Sequence, residues 1–201
     1  MTTPTVNGPV RLAVIVASVR DGRFAPVISD WFVRQVERHG GFTADLIDLK
    51  DEPLSLTMPS LGHDVDPLTE RTLAALSPRL AAAEAFVVIT PEYNHSFPAA
   101  LKNAIDWHLE EWRAKPVGFV SYGGVSGGLR AVEHLRHVFA ELHATAVRDT
   151  VCFHTPWQEG AGEEAPHGAM GAGVAAKTML DQLAWWAGAL TEARARTPYP
   201  A

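Results

Sequence analysis

The run Ala85-Phe86-Val87-Val88-Ile89-Thr90 constrains the fold of this chain more than any other segment. Apolar side chains follow one another without the polar alternation of a half-exposed strand. The run is too short for a buried helix and is bounded by a proline. It therefore reads as a strand covered on both faces, which is the situation of a parallel sheet with helices packed above and below it. Beyond it, Leu101, Ala104, Ile105 and Leu109 fall on one helical face. The polar and aromatic stretch Pro91 to Ser96 then lies on a loop at the carboxyl end of that strand. Open parallel sheets bind their ligands at this edge.

The same alternation runs through the chain. Val10 to Ala17 is a short apolar strand, followed by an amphipathic helix from Pro26 to Arg38. Val27, Ile28, Trp31, Phe32 and Val36 form the inward face of that helix, and Pro26 suits its first turn. Thr43 to Leu49 is the second strand, Leu54 to Asp66 a proline-bracketed loop, and Leu68 to Ala83 the second helix. Pro116 to Ser121 gives a fourth strand, after which Leu129, Val132, Leu135, Phe139 and Leu142 line a helix. Thr145 to Phe153 is the fifth strand. His154 to Gly173, rich in glycine, acid and alanine, reads as a long loop before a last helix carrying Leu180, Leu183, Trp186, Ala187 and Leu190.

Strand–helix alternation implies parallel strands joined by right-handed crossovers. Five strands fit an α/β three-layer sandwich with sheet order 2-1-3-4-5, whose switch point lies between strands one and three. The 201 residues contain no interdomain linker, so one domain spanning 1–201, with its core at about 10–195, is expected.

Several function classes lose support at this level. The net charge is -6, and the 17 basic residues form no block or stripe, which argues against nucleic acid or an anionic membrane as partner. Cys152 is the single cysteine, so there is neither an internal disulfide nor a cysteine cluster, and it is expected as a small buried core residue. Met1 to Pro9 is polar and lacks the apolar heart of a secretion signal, and no run approaches the ~20 apolar residues of a membrane span. A cytoplasmic location is expected. His134, His137 and His143 have no carboxylate placed to complete a metal centre, and Ser18 and Ser126 have no evident His/Asp partners for a hydrolase triad.

Three loops carry the chemistry. The first, Ala17-Ser18-Val19-Arg20-Asp21-Gly22-Arg23-Phe24, lacks the glycine pattern and Lys-Ser/Thr of a nucleoside-triphosphate loop. It offers a hydroxyl, two arginines and the N–H groups of the following helix, a set that suits a phosphate monoester. Read without a ligand, it is a solvated turn with two surface arginines. The second, Pro91 to Ser96, mixes an amide, a phenol and a proline, which can meet both the polar edge and the apolar face of a flat ring. The third, Ser121-Tyr122-Gly123-Gly124-Val125-Ser126-Gly127-Gly128, lets backbone approach such a ring where a Cβ would intrude.

The stretch from Pro91 to Trp107 closely resembles the P-E-Y-N-x-S-x-P-x-x-L-K-N-A-I-D-W signature of the NADPH-dependent FMN reductase family, flavodoxin-like proteins that include quinone, azo-dye and chromate reductases. The first loop resembles the family's G-S-x-R-x-x-S, with Ser18 and Arg20 retained but Ala17 in place of glycine and Arg23 in place of serine. The third resembles S-Y-G-G-x-x-G-G. The resemblance runs from about Val10 to Phe153, and from His154 onward only the layout is shared. It implies a flavodoxin-like fold and FMN held by Ser18, Arg20, Arg23, Phe24, Pro91, Glu92, Tyr93, Asn94, Ser121, Tyr122, Gly123 and Gly124. Arg23 either supplies a second charge to the phosphate or points into a substrate pocket. His95, where the family often has glycine, is placed in the substrate pocket, near the ring or the entrance for the second substrate. Trp157, a large apolar group on an irregular acidic loop, is read separately as a substrate-pocket residue that covers the flavin or contacts a partner subunit.

The implied reaction is hydride transfer from NADPH or NADH through FMN to a quinone-like, azo or other small acceptor by a ping-pong course, with no side chain as an indispensable acid or base. A homodimer or homotetramer is implied as well. Trp31, Trp107, Trp185 and Trp186 are expected as core or interface anchors, and Lys102, Asn103 and Asp106 in packing, polar networks or a subunit contact. Three alternatives stay open: a flavodoxin-type electron carrier, a reductase releasing reduced flavin to a monooxygenase, and a non-redox interaction module.

Overall fold

The sheet sorts its strands by burial. β3 (Ala85–Pro91) and β4 (Pro116–Gly123) are buried at every position, so they can only be interior strands. β1 (Val10–Val16) is buried except at Arg11, whereas β2 (Phe42–Asp48) and β5 (Thr145–His154) mix buried and exposed positions as edges do. The computed structural model, which describes residues 8–60, 63–158, 166 and 169–200, arranges them as β2-β1-β3-β4-β5 with every pairing parallel. The flavodoxin-like order expected above is therefore the one found. Register brings the strand ends level: Val16 lies beside both Asp48 and Ile89, and Thr90 beside Ser121. The loops that follow β1, β3 and β4 thus leave the sheet at one height.

Two apolar layers clamp the sheet. α1 (Ala25–His39) and α5 (Ala169–Arg196) cover one face, where Ile28, Phe32, Met179 and Leu183 meet Val14, Val87 and Val120. α2 (Pro67–Ala82), α3 (Ala99–Asp106) and α4 (Leu129–Glu141) cover the other through Leu76, Leu80, Leu101, Ile105, Leu135 and Phe139. Each of these large side chains, removed from water, contributes about 1.5–3 kcal/mol before the entropy cost of ordering it. Asp66 caps α2 by accepting from the N–H groups of Leu68 and Thr69, and Gly40 closes α1 in the left-handed conformation.

Several expectations from sequence are corrected. The loop expected from His154 to Gly173 ends sooner, because α5 already begins at Ala169. Ala172 and Ala176 bury against the core, and that packing outweighs the helix-weakening glycines 171 and 173. Residues 159–165 and 167–168 of that stretch lie outside the described residues. Leu109 is not on the inward face of α3. The helix stops at Asp106, Leu109 is 54% exposed, and a 3₁₀ turn at Glu110–Trp112 places Trp112 in the core instead. β4 extends to Gly123 and β5 to His154, so Ser121, Tyr122 and Gly123 end a strand rather than open a loop. Cys152 is half-buried at the sheet edge, its thiol donating to the Gly127 carbonyl at 3.2 Å. Of the tryptophans, Trp31 is core and packs edge-on to Phe153, Trp107 is tied to the Ser55 carbonyl, Trp186 packs on the core's margin, and Trp185 is exposed.

Candidate functional site

The loops after β1, β3 and β4 converge at the carboxyl edge of the sheet around a cleft of about 430 Å³, within the usual size of a small-ligand site. Its walls are Ser18, Arg20 to Phe24, Pro91 to Tyr93, Tyr122 to Gly124, and Trp157. The sheet order puts this cleft over the gap between β1 and β3, where successive crossovers diverge.

In the first loop, Ser18 is buried and its Oγ shares a hydrogen bond of 2.7 Å with the Tyr93 hydroxyl. Two hydroxyls sharing one bond leave the second hydroxyl proton available to a ligand. Arg20 is exposed and has no hydrogen-bond or ion-pair partner among the described residues. Gly22, at φ +63°, turns the chain into α1, whose first turn has no side-chain cap and no acidic residue. Among the described residues, its leading N–H groups and the positive end of the helix dipole therefore face the loop without a protein anion to satisfy them.

Arg23 behaves differently from the surface arginine of a solvated turn. Its guanidinium forks onto Asp48, at 2.6 Å to Oδ1 and 2.5 Å to Oδ2, and also donates to the Ser18 carbonyl. The hydrogen bonds to the Asp48 carboxylate raise the already high pKa of Arg23, so the guanidinium stays charged. Asp48 ends β2, accepts from the Lys50 N–H at 3.0 Å, and Lys50 in turn reaches Asp21 at 2.8 Å. Sequence reasoning missed Asp48. The only signal was its position, at the carboxyl end of the strand that pairs with β1.

The second loop is pinned by a two-residue turn. Tyr93 and Ser96 exchange backbone hydrogen bonds of 2.8 and 3.1 Å, with Asn94 at φ +49° and His95 at φ +74° between them. This left-handed pair is the geometry usually given to Asn-Gly. It carries Asn94 and His95 to the outside, and neither lines the cleft. The His95 ring instead faces His134 of α4, whose Nδ1 pairs with Ser96 Oγ at 3.0 Å. Glu92 turns its carboxylate towards α4, accepting from the Ser126 hydroxyl at 2.6 Å, the Arg130 N–H at 3.2 Å and the Arg130 guanidinium at 3.0 Å. Burial alone would push the Glu92 pKa up, but these donors together overcome it and hold the carboxyl below its ordinary range.

The third loop is held from beneath. Ser121 does not line the cleft; it is buried and donates to the Gly127 carbonyl at 3.0 Å. Just past β5, the Thr155 N–H reaches the Gly123 carbonyl at 2.7 Å, and His154 Nδ1, at the strand's end, lies 3.1 Å from the Val125 carbonyl. Gly128, at φ +91°, has no room for a side chain: a Cβ would lie 2.7 Å from the Ser121 Cβ and 2.9 Å from the Tyr122 nitrogen. A Cβ at Gly124 would meet nothing within 4 Å, which marks the open flank of the cleft. The Tyr122 hydroxyl is buried without a hydrogen-bond partner among the described residues, and burial pushes its pKa up. Trp157, half exposed, stands at the mouth edge-on to Phe24 with ring centroids 6.5 Å apart.

The structure thus brings together Ser18, Arg20, Arg23, Phe24, Pro91, Glu92, Tyr93, Tyr122, Gly123, Gly124 and Trp157, and sets Asn94, His95 and Ser121 just outside the lining. Asp21 and Gly22 join the walls as well. Among the described residues no group of three or more His, Cys, Asp or Glu is placed to hold a metal, and no helix is long and apolar enough to cross a membrane.

Comparison with known proteins gives a consistent result. An NAD(P)H-dependent FMN reductase of Schizosaccharomyces pombe is 39% identical over 132 residues, which span 64% of this chain and 64% of the yeast protein. An FMN-dependent NADPH-azoreductase of Staphylococcus saprophyticus is 30% identical over 146 residues, 70% of this chain and 75% of that protein. Among solved structures, the flavoenzyme NAD(P)H:(acceptor) oxidoreductase of Paracoccus denitrificans superposes with a TM-score of 0.66 at 23% identity, covering 88% of this chain and 96% of that one, a likeness of fold. The model of the NADPH-dependent FMN reductase family matches residues 10–158. Since that match takes in well over half of the chain, the protein belongs to the NADPH-dependent FMN reductase family.

Proposed function

We propose that this chain is an FMN-dependent oxidoreductase that takes hydride from NADPH or NADH and reduces a quinone-like, azo or other small acceptor. The observation that carries the reading is the cleft itself. A walled space at the switch point adjoins a helix N-terminus without a side-chain cap, an arginine with no partner among the described residues, and a buried serine. That donor set fits a phosphate monoester joined to a flat heterocycle. The relatives named above, an FMN reductase and an azoreductase, support the same cofactor and co-substrate.

In this reading Ser18, Arg20, Phe24 and the first N–H groups of α1 receive the phosphate and ribityl end. Pro91, Tyr93, Tyr122, Gly123 and Gly124 receive the ring. Arg23 and Glu92 act through the loops they hold, and Asn94 and Ser121 contribute from beside the cleft. Bound FMN supplies the two-electron redox chemistry, while the protein orients it and shields it from water. Trp157, with His95 further out on the rim, belongs to the acceptor side. Gly124 leaves one flank open, so nicotinamide and acceptor take turns at the same face and the kinetics are ping-pong. A homodimer or homotetramer in the cytoplasm completes the proposal; sedimentation of the full chain tests its assembly.

The deciding experiment is a visible absorption spectrum of protein reconstituted with FMN and desalted, recorded before and after anaerobic NADPH. Retained flavin that bleaches supports the proposal. Retained flavin that stays oxidised with both NADPH and NADH makes the chain an electron carrier, and absence of retained flavin removes the tight-cofactor reading. Initial-rate lines for nicotinamide and quinone that converge instead of running parallel overturn the ping-pong course.

A further inference from the structure

Arg23 stands where the family motif has a serine, and it brings a positive charge to the phosphate end of the cleft. It also brings its own anion. Both side chains of the Arg23–Asp48 pair are largely buried, with relative exposures of 12% and 23%, and the contact is a two-pronged fork. A third N–H of the guanidinium goes to the Ser18 carbonyl. Three of its five donors are thus committed to the protein, and the charge is matched at about 2.5 Å. Two loop residues away, Asp21 is likewise matched by Lys50. Within this loop, Arg20 alone carries a charge with no protein partner among the described residues.

We propose that Asp48 is the built-in counter-ion of the phosphate loop: it withholds the charge of Arg23 from a bound phosphate, so that preference for a phosphorylated flavin is set by Arg20 and the N-terminus of α1. This rests on the cofactor reading above and deepens it. Asp48 is a positioning residue, acting on the ligand through Arg23. The assignment has an unusual signature. Removing either member of a neutral pair leaves the other's charge exposed to the ligand, so the two single substitutions must act in opposite directions and cancel when combined.

The test uses full-length apoprotein and the quenching of flavin fluorescence, with FMN and riboflavin as probes. The quantity read is the ratio of the riboflavin Kd to the FMN Kd. Asp48→Asn frees Arg23 for the phosphate and raises this ratio roughly tenfold, while Arg23→Met leaves Asp48 facing the phosphate and lowers it by a similar factor. The double variant returns to within about twofold of the wild type, and Arg20→Gln collapses the ratio towards one. Asp48→Ser repeats the first arm should Asp48→Asn fold poorly, and far-UV circular dichroism checks each variant. If Arg23→Met and the double variant both collapse the ratio, Arg23 is itself a phosphate ligand and the counter-ion assignment is overturned. If every variant weakens both flavins in parallel, the pair is only a structural brace, and the assignment is overturned as well. A wild type that binds neither flavin defeats the cofactor reading before any variant is compared.

Discussion

The loops after β1 and β4 wall the same cleft but are held by different forces. The first is laced by charge: Arg23 to Asp48, Lys50 to Asp21, with a single hydroxyl pair at Ser18 and Tyr93. The last is held by shape, with glycines packed so closely on Ser121, Cys152 and Tyr122 that a methyl group has nowhere to go. A loop held by charge can change its side chains and keep its path, whereas a loop held by contact cannot. That difference explains how Ala17 and Arg23 can depart from the family's pattern in the first loop while the third retains Gly127 and Gly128.

The sharpest way to test the contrast is Gly128→Ala. The added Cβ would press on backbone at 2.9 Å from a residue already at φ +91°, so a loss of about 3 kcal/mol is expected in urea denaturation, together with loss of flavin retention. Next comes Glu92→Gln, which replaces a carboxylate accepting three hydrogen bonds with an amide and should cost about 2 kcal/mol. Its pH dependence has a definite sign. The folded pKa of Glu92 lies below its ordinary 4.5, so its contribution is complete above that value and fades as pH falls through the depressed one. The acid limb of the stability profile should therefore flatten in Glu92→Gln.

Arg23→Met in the first loop should cost less, about 1–2 kcal/mol, since the largely buried pair keeps some contact with water at Asp48. The difference from wild type should shrink in 1 M salt (Debye length about 3 Å), whereas the Gly128→Ala deficit should not respond to salt. The smallest effect has the opposite sign. His95→Gly relieves a left-handed backbone and should stabilise the protein by about 0.5–1 kcal/mol in thermal unfolding. A destabilised His95→Gly would mean that the contact with His134 outweighs the strain.

The parts of this molecule legible from sequence were those written in local pattern. The unbroken apolarity of residues 85–90 announced a central strand, and the strand–helix alternation announced the sheet order. The loops bearing Ser18, Tyr93 and Gly123 could be assigned to one edge because period and topology alone decide where a loop emerges. What escaped notice depends on partners far along the chain. Asp48 is 25 positions from Arg23, and nothing in its surroundings marks it as an ion-pair partner. The turn that sets His95 beside the cleft lining and not within it leaves no trace in hydrophobic pattern. The start of α5 is hidden in the sequence because Gly171 and Gly173 weaken a helix locally, while burial of Ala172 and Ala176 restores it from across the molecule.

The hydrogen bond between Ser18 and Tyr93 joins residues 75 positions apart, and the clasp of Glu92 on Ser126 spans another 34. Because β1 pairs with β3 and not with its chain neighbour alone, the cleft has no existence in any half of the polypeptide. It closes only when the middle of the sheet does. Any ligand of that cleft consequently recognises completed molecules alone. At a hundred times its Kd such a ligand would add about 2.7 kcal/mol to the stability of the entire chain, so cofactor supply and resistance to proteolysis should rise and fall together.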